Sequence, residues 1–281
     1  MPLTIAQALQ QARQQIAPAS QSAALDAQIL LAETLGVSRA HLLTHPEQPL
    51  TAPQLARFTA WVERCASGEP LAYLLGRRGF YDRDFFVTPA VLVPRPETER
   101  LLEHALDFAR QHPGLTAVDV GTGSGALAVT FAALQPTARI YAVDISSDAL
   151  AVAQHNAALH APHVHFMHGH LLQPLITAAI RVQLIMANLP YIPSAEVDRL
   201  PVSQHEPRLA LDGGADGLGL IRQLLAQASQ VTTAGARLLL EIGYDQGESV
   251  PALAREHFPH AQIHLWQDDA GLDRIVSIDL N

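Results

Sequence analysis

Residues 187 to 193, Ala-Asn-Leu-Pro-Tyr-Ile-Pro, close an apolar run with an amide, a proline-locked turn and a phenol ring. Pro190 pushes Leu189 out of the helical region towards an extended conformation, which fixes where the Leu189 carbonyl points. That carbonyl and the Asn188 side-chain oxygen can accept both N–H bonds of a planar NH2 group, and Tyr191 can stack on it. An amide or aryl amine nitrogen is a poor nucleophile because its lone pair is delocalised. Two placed acceptors orient it towards an electrophile and stabilise the positive charge that develops on it. Asn188, Leu189, Pro190 and Tyr191 are therefore the candidate catalytic residues. A buried proline turn with a structural Asn is the plainer alternative, preferable if no ligand-binding loop accompanied it.

Such a loop lies upstream, in Val-Asp-Val-Gly-Thr-Gly-Ser-Gly (118–125). Glycines at 121, 123 and 125 let a backbone turn tightly between strand and helix and approach a ligand, with free amides at the helix start. Gly121, Gly123 and Ala126 also satisfy a dinucleotide pattern, weak by itself. Asp119, two residues before the first glycine, would repel a pyrophosphate but suits a cationic ligand; a buried structural carboxylate is its alternative. Asp144, 23 residues after Gly121, can accept both hydroxyls of a ribose, or cap the following helix unless Ser146 or Ser147 does so. A nucleoside with little phosphate and some positive charge fits this set, and S-adenosylmethionine, with its sulfonium and ammonium, answers that description. The chemistry is then direct displacement onto nitrogen, with no metal and no covalent enzyme intermediate.

The elements around these residues follow from periodicity. Residues 1–75 read as a small helical module, with Ser22 and Thr51 as caps, Gly36 and Gly68 as stops, and Leu55, Phe58, Val62 and Cys65 on one helix face. Residues 76–92 read as a β-hairpin linker across two domains, with Phe80, Phe85 and Val87 alternating around turn formers. Over 93–281 helix resumes after Pro96, and apolar strands at 115–120, 139–145, 164–169, 182–187 and 236–242 alternate with helical stretches at 126–134, 147–159, 172–180 and 217–230. That alternation means a parallel sheet covered on both faces. The last two strands, 261–267 and 273–280, are joined by only a few residues, too few for a parallel crossover, so the final strand runs antiparallel. The fold class is α/β, Rossmann-like, with ligands beyond the carboxyl ends of the strands near the topological switch point.

Composition sets limits. The 281 residues carry 18 basic and 27 acidic side chains, a net charge of −9, and every basic residue other than histidine is Arg. A catalytic lysine is excluded, and an acidic average surface argues against nucleic acid as the main partner. The single cysteine, Cys65, makes no internal disulfide. No apolar run approaches the roughly 20 residues of a membrane span, and the N-terminus lacks a secretory layout, so the expectation is a cytoplasmic protein. The histidines at 160, 163, 165, 168 and 170 alternate with apolar residues and read as a solvated strand face, not a metal site.

At this point the chain resembles the HemK/PrmC family, whose members methylate the side-chain amide of the glutamine in the Gly-Gly-Gln loop of peptide chain release factors. The resemblance rests on "RCASGEPLAYLLGRRGFY", "LVPRPETE", "DVGTGSG", "NLPYIP", "EPRLALDGGADGL", "EIGYDQG" and "DDAGLDRIV", in that order from about residue 60 to the end. It implies a class I S-adenosylmethionine-dependent methyltransferase with a seven-stranded sheet, S-adenosylhomocysteine as product, and a release factor as protein substrate of a monomeric enzyme. Gly121, Thr122, Gly123, Ser124 and Gly125 would hold the amino acid end of the cofactor, and Asp144, with Ile145 beside it, the ribose. Asn188 to Tyr191 would form the glutamine site. Pro94, Arg95, Glu97 and Thr98 resemble the segment that closes over the cofactor, although Arg95 and Glu97 can equally be a surface ion pair. Leu189 replaces the family's first proline, and His170 and Leu171 replace its usual Asp after the third strand, leaving the adenine contact to a His side chain or to apolar packing. The helical module would dock the release factor or only stabilise the fold. A DNA adenine methyltransferase, whose exocyclic amine fits the same grip but whose base must be flipped, is the main rival. A nicotinamide-dependent oxidoreductase leaves "NLPY" unexplained.

Overall fold

The computed structural model describes residues 2–281. The chain divides into two compact units, one ending at Arg77 and one running from Arg78 to Asn281. In the first, helical spacing produces α1 (Ile5–Ile16), α2 (Ala23–Leu35), α3 (Arg39–Thr44), α4 (Ala52–Ala66) and α5 (Leu71–Leu75). Thr4 and Thr51 close capping boxes with Gln7 and Gln54, which satisfies amides that the first turns of α1 and α4 would leave free. Gly36 ends α2 at φ 67°, a left-handed turn that suits glycine. Ser22 stands at the N-cap of α2, yet its hydroxyl bonds the Asp26 carboxylate and caps no backbone amide. Phe58, Val62 and Cys65 of α4 face inward against Ile5, Ile16, Leu30 and Leu31, with Leu55 partly buried. The six residues of α3 are too few to show a periodic stripe, which is why the pattern does not reveal them.

β1 (Arg77–Phe80) and β2 (Arg83–Phe86) pair as a hairpin, and Phe80 and Phe85 sink into the core of the second unit. After α6 (Glu97–Gln111), strands and helices alternate: β3 (Thr116–Val120), α7 (Ala126–Leu134), β4 (Arg139–Asp144), α8 (Ser147–His160), β5 (His165–His168), α9 (Gln173–Thr177), β6 (Val182–Ala187), α10 (Ser194–Val197), α11 (Gly219–Ala228), β7 (Thr232–Glu241), α12 (Ser249–His257), β8 (Gln262–Gln267) and β9 (Asp273–Asp279). The seven-stranded sheet has the order β5-β4-β3-β6-β7-β9-β8. Every pair from β5 to β7 is parallel, and β9 runs antiparallel to both β7 and β8. The last strand is thus the antiparallel one, and it inserts between β7 and β8. The central strands are almost wholly buried because helices cover both faces.

From β3 the chain runs outward to β4 and β5 on one side, then returns through α9 to β6 on the other side of β3, which makes the carboxyl ends of β3 and β6 the switch point. The register decides what meets there. Val120 aligns with Val143 of β4 and with Ala187 of β6, and Ala187 aligns with Leu240 of β7. The next residue on each strand is therefore Asp144, Gly121, Asn188 and Glu241, side by side along one rim.

Candidate active site

A cleft of ≈ 270 Å³ opens along that rim. Gly121, Gly123 and Gly125 adopt φ of 74°, 54° and 79°, which a residue with a side chain rarely takes up. A Cβ on Gly121 would stand 3.0 Å from Leu189 Cδ2, so the glycine lets the loop and the Asn-Leu-Pro-Tyr turn approach each other. The Gly121 and Thr122 amides both donate to the Val143 carbonyl, at 2.9 and 3.0 Å, which pins the loop to the end of β4. Asn156, fully buried on α8, ties the hairpin to this loop: its Nδ2 donates to the carbonyls of Ser124 and Phe86 at 2.8 and 2.9 Å.

The Asp144 carboxylate accepts from the Gly123 amide and the Ser146 amide, each at 2.9 Å. The Ser146 hydroxyl caps α8 on the Ala149 amide at 3.1 Å, so Asp144 is released from that duty and lines the cleft. Burial pushes the Asp144 carboxyl up, and the backbone amides hold it down. Each of its oxygens keeps a second lone pair for a ligand hydroxyl.

Asp119 is buried beneath the loop, where one of its oxygens accepts from the Thr122 hydroxyl at 2.6 Å and the Ala128 amide at 3.2 Å. It braces the glycine turn against the start of α7, which is the structural alternative left open by the sequence, and it also lines the cleft. Desolvation pushes its pKa up to about 7, against the pull of those two bonds, while the Asp144 charge adds to the rise.

Asn188 is half-buried at the cleft wall, where its Nδ2 donates to the Thr98 hydroxyl at 2.9 Å. Among the described residues no donor reaches its Oδ1 or the Leu189 carbonyl. The two acceptors expected from sequence are therefore unspent. Beyond them the chain is strapped by the "EPRLALDGGADGL" segment. Ile192 bonds Leu211 and Gly213, and Ser194 bonds Gly214, at 2.8 to 3.1 Å. Gln246, buried after β7, donates from Nε2 to the Tyr191 carbonyl at 3.0 Å and accepts the Gly243 amide on Oε1 at 3.0 Å. Burial pushes the Tyr191 phenol up to about 12, which keeps the ring neutral.

The remaining sequence candidates divide. Pro94, Arg95, Thr98, Ile145, His170 and Leu171 line the cleft, whereas Glu97 is exposed on the first turn of α6 and Tyr191 lies just outside the lining. Arg95 does not pair with Glu97: it donates to both oxygens of Glu206 at 2.8 Å, and Glu206 is almost fully buried. Leu171 belongs to the apolar core that includes Val118 and Val143, and both it and His170 line the cleft. Sequence reasoning passed over Glu206, Glu241, Gln246 and Asn156. The first three stand inside motifs that it quoted, but their partners are set by strand register and loop return, which a linear pattern does not carry.

A cofactor with a pyrophosphate fits this lining poorly, since Arg95 is already engaged by Glu206 and the Asp144 carboxylate lines the cleft. A nucleoside carrying a cationic amino acid arm fits better, since the lining combines bare glycine backbone with a carboxylate at the end of β4 that can accept two hydroxyls.

Residues 7–76 match the PrmC N-terminal domain model and residues 98–203 the methyltransferase small domain model. A protein of Moorella thermoacetica named release factor glutamine methyltransferase is 41% identical over 276 residues, covering 97% of each chain. One of the same name from Bacillus subtilis is 38% identical over 256 residues, covering 89% of each. Among solved structures, the T. thermophilus 16S rRNA N2 G1207 methyltransferase, in complex with AdoMet and guanosine, superposes with a TM-score of 0.53 at 18% identity, over 73% of this chain and 50% of that one. A methyltransferase from Pyrococcus furiosus gives 0.51 at 15% identity, over 72% and 90%. These two share the fold, a class I methyltransferase sheet.

Proposed function

The chain belongs to the release factor glutamine methyltransferase family, and from that premise we propose that it transfers a methyl group to the side-chain amide nitrogen of the glutamine in the Gly-Gly-Gln loop of peptide chain release factors. The observation that carries this reading is the pair of unspent acceptors, Asn188 Oδ1 and the Leu189 carbonyl, on the same rim as the glycine loop and Asp144.

Gly121 to Gly125, with Asp144 at the ribose, would hold S-adenosylmethionine, which would supply an electrophilic methyl group. Asn188 and Leu189 would accept the two N–H bonds of the glutamine amide, which points the nitrogen lone pair at the methyl and offsets the charge that builds on nitrogen; as the N–C bond forms the methyl–sulfur bond breaks, the neutral thioether leaves, and one of the two N–H protons passes to solvent. Pro190 holds the Leu189 carbonyl in place, and Tyr191, tied by Gln246, walls the amide plane. The replacement of the family's first proline by Leu189 is compatible with this role, since only a backbone carbonyl is required. His170 lines the cleft where the adenine contact is expected. The match of the helical unit to the PrmC N-terminal domain supports reading it as the part that docks the release factor.

The test is incubation of the purified protein with methyl-labelled S-adenosylmethionine and either a release factor or duplex DNA. Label on the release factor is expected. Label on DNA and none on protein would reverse the ranking in favour of an adenine methyltransferase, a reading that the charge of −9 and the absence of lysine oppose.

A further inference from the structure

An asparagine carries its acceptor and its donors on one planar group, and its shape alone does not say which end faces a ligand. Here the choice is made by two residues outside the Asn-Leu-Pro-Tyr turn. Thr98, buried in the first turn of α6, donates from Oγ1 to Glu241 Oε2 at 2.7 Å. Asn188 Nδ2 donates to that same Thr98 oxygen at 2.9 Å. A hydroxyl has one proton to give. With that proton committed to Glu241, the Thr98 oxygen can only accept, so Asn188 must turn its NH2 to the scaffold and its oxygen to the cleft.

When Glu241 is ionised, the far end of the chain of bonds is fixed in direction too, because a carboxylate accepts and cannot donate. Glu241 reaches this position through strand register: Leu240 aligns with Ala187, so Glu241 follows level with Asn188. It is 2% exposed in a row of buried apolar residues on β7. A carboxyl there is costly to ionise. Desolvation raises its pKa to about 7, while the Thr98 hydrogen bond, the Arg274 charge and the Asn188 amide pull it down and the Glu97 charge pushes it up.

We propose that Glu241, acting through the Thr98 hydroxyl, is the positioning residue that locks the Asn188 amide with its oxygen towards the substrate nitrogen. The identity of that substrate rests on the glutamine reading; the orientation of the amide does not. Protonation would turn Glu241 into a donor, allow Thr98 to reverse its bond and free Asn188 to rotate, so transfer fails on the acid side. The charged and titratable groups that face this carboxyl are Arg274 from β9, Glu97 from α6 and the Tyr191 phenol.

The test uses the full chain with Thr98→Val, Thr98→Ser and Glu241→Gln. Thr98→Val is expected to lower kcat on a release factor by about tenfold or more, and Thr98→Ser to restore it. Glu241→Gln is expected to remove the acid limb of the kcat–pH profile. In a spectrum of 15N-labelled protein, the Asn188 side-chain NH2 protons should exchange slowly in the parent and rapidly in Thr98→Val. Unchanged kcat and slow exchange in Thr98→Val, or a serine that does not rescue, would overturn the proposal. A parent inactive on release factors, with the exchange difference intact, would sink the substrate reading and leave the relay standing.

Discussion

The Asp144 carboxylate accepts the Gly123 amide at 2.9 Å, joining the end of β4 to the loop that follows β3. One side chain thus shapes the glycine loop and lines the cleft where the proposed function puts the ribose. Asp144→Ala is expected to weaken S-adenosylmethionine binding by about 10- to 100-fold, the scale of losing hydrogen bonds to a charged group. Isothermal titration measures it, with thermal unfolding as the check on folding. Parent-like affinity in Asp144→Ala would remove the residue from the cofactor site.

Asn188→Ala separates catalysis from binding. Loss of one of two acceptors aimed at the reacting nitrogen is expected to cost on the order of 100-fold in kcat, with S-adenosylmethionine affinity nearly unchanged. Parallel loss of both quantities would show that Asn188 is a structural asparagine.

The strap over the Asn-Leu-Pro-Tyr turn leaves no room for a methyl group at Gly217. Its φ is 74°, and a Cβ there would overlap the Tyr191 carbonyl and come within 2.9 Å of Gln246 Nε2. Gly217→Ala is expected to cost about 1–3 kcal/mol and to lower transfer as well, because Tyr191 must move. Gly235, at φ 73° with open space around it, is the control. There alanine meets only the backbone preference, about 1 kcal/mol, and transfer should be retained. Equal losses of transfer at the two positions would mean that the strap does not position Tyr191.

Burial raises Asp119 from 3.8 to about 7, and Glu241 from 4.5 to about 7. A raised pKa means that the folded state holds the proton more tightly than the unfolded chain. The associated stability is complete below the unfolded value and disappears as pH climbs through about 7. Asp119→Asn is neutral throughout, so the stability of the parent minus that of the variant, from denaturant unfolding without cofactor, should fall as pH rises over this range. A difference that stays flat or grows would place the ionised form of Asp119 as the favoured one in the fold.

Much of this architecture was legible in the sequence because it is local. Three alternating glycines after an apolar strand, an acid at the end of the next strand, and a proline that restrains its predecessor each act within a few residues, and the structure brings them to one rim. The antiparallel last strand followed from a connection too short for any crossover. What the sequence hid is relational. Glu241 meets Asn188 because Leu240 and Ala187 share a register. Arg95 meets Glu206 across 111 residues of chain rather than its near neighbour Glu97. Gln246 reaches Tyr191 only because β7 lies beside β6. Ser22 does stand at the N-cap of α2, as its residue type suggests, but its hydroxyl goes to the Asp26 carboxylate one turn on instead of a backbone amide.

The most direct measurement is a crystal structure of the protein with S-adenosylhomocysteine and a peptide containing Gly-Gly-Gln. The thioether sulfur is expected between the 121–125 loop and Asn188, with the glutamine nitrogen in hydrogen-bonding range of Asn188 Oδ1 and the Leu189 carbonyl. A glutamine amide bound elsewhere, or an Asn188 oxygen turned into the scaffold when the site is filled, would contradict this arrangement.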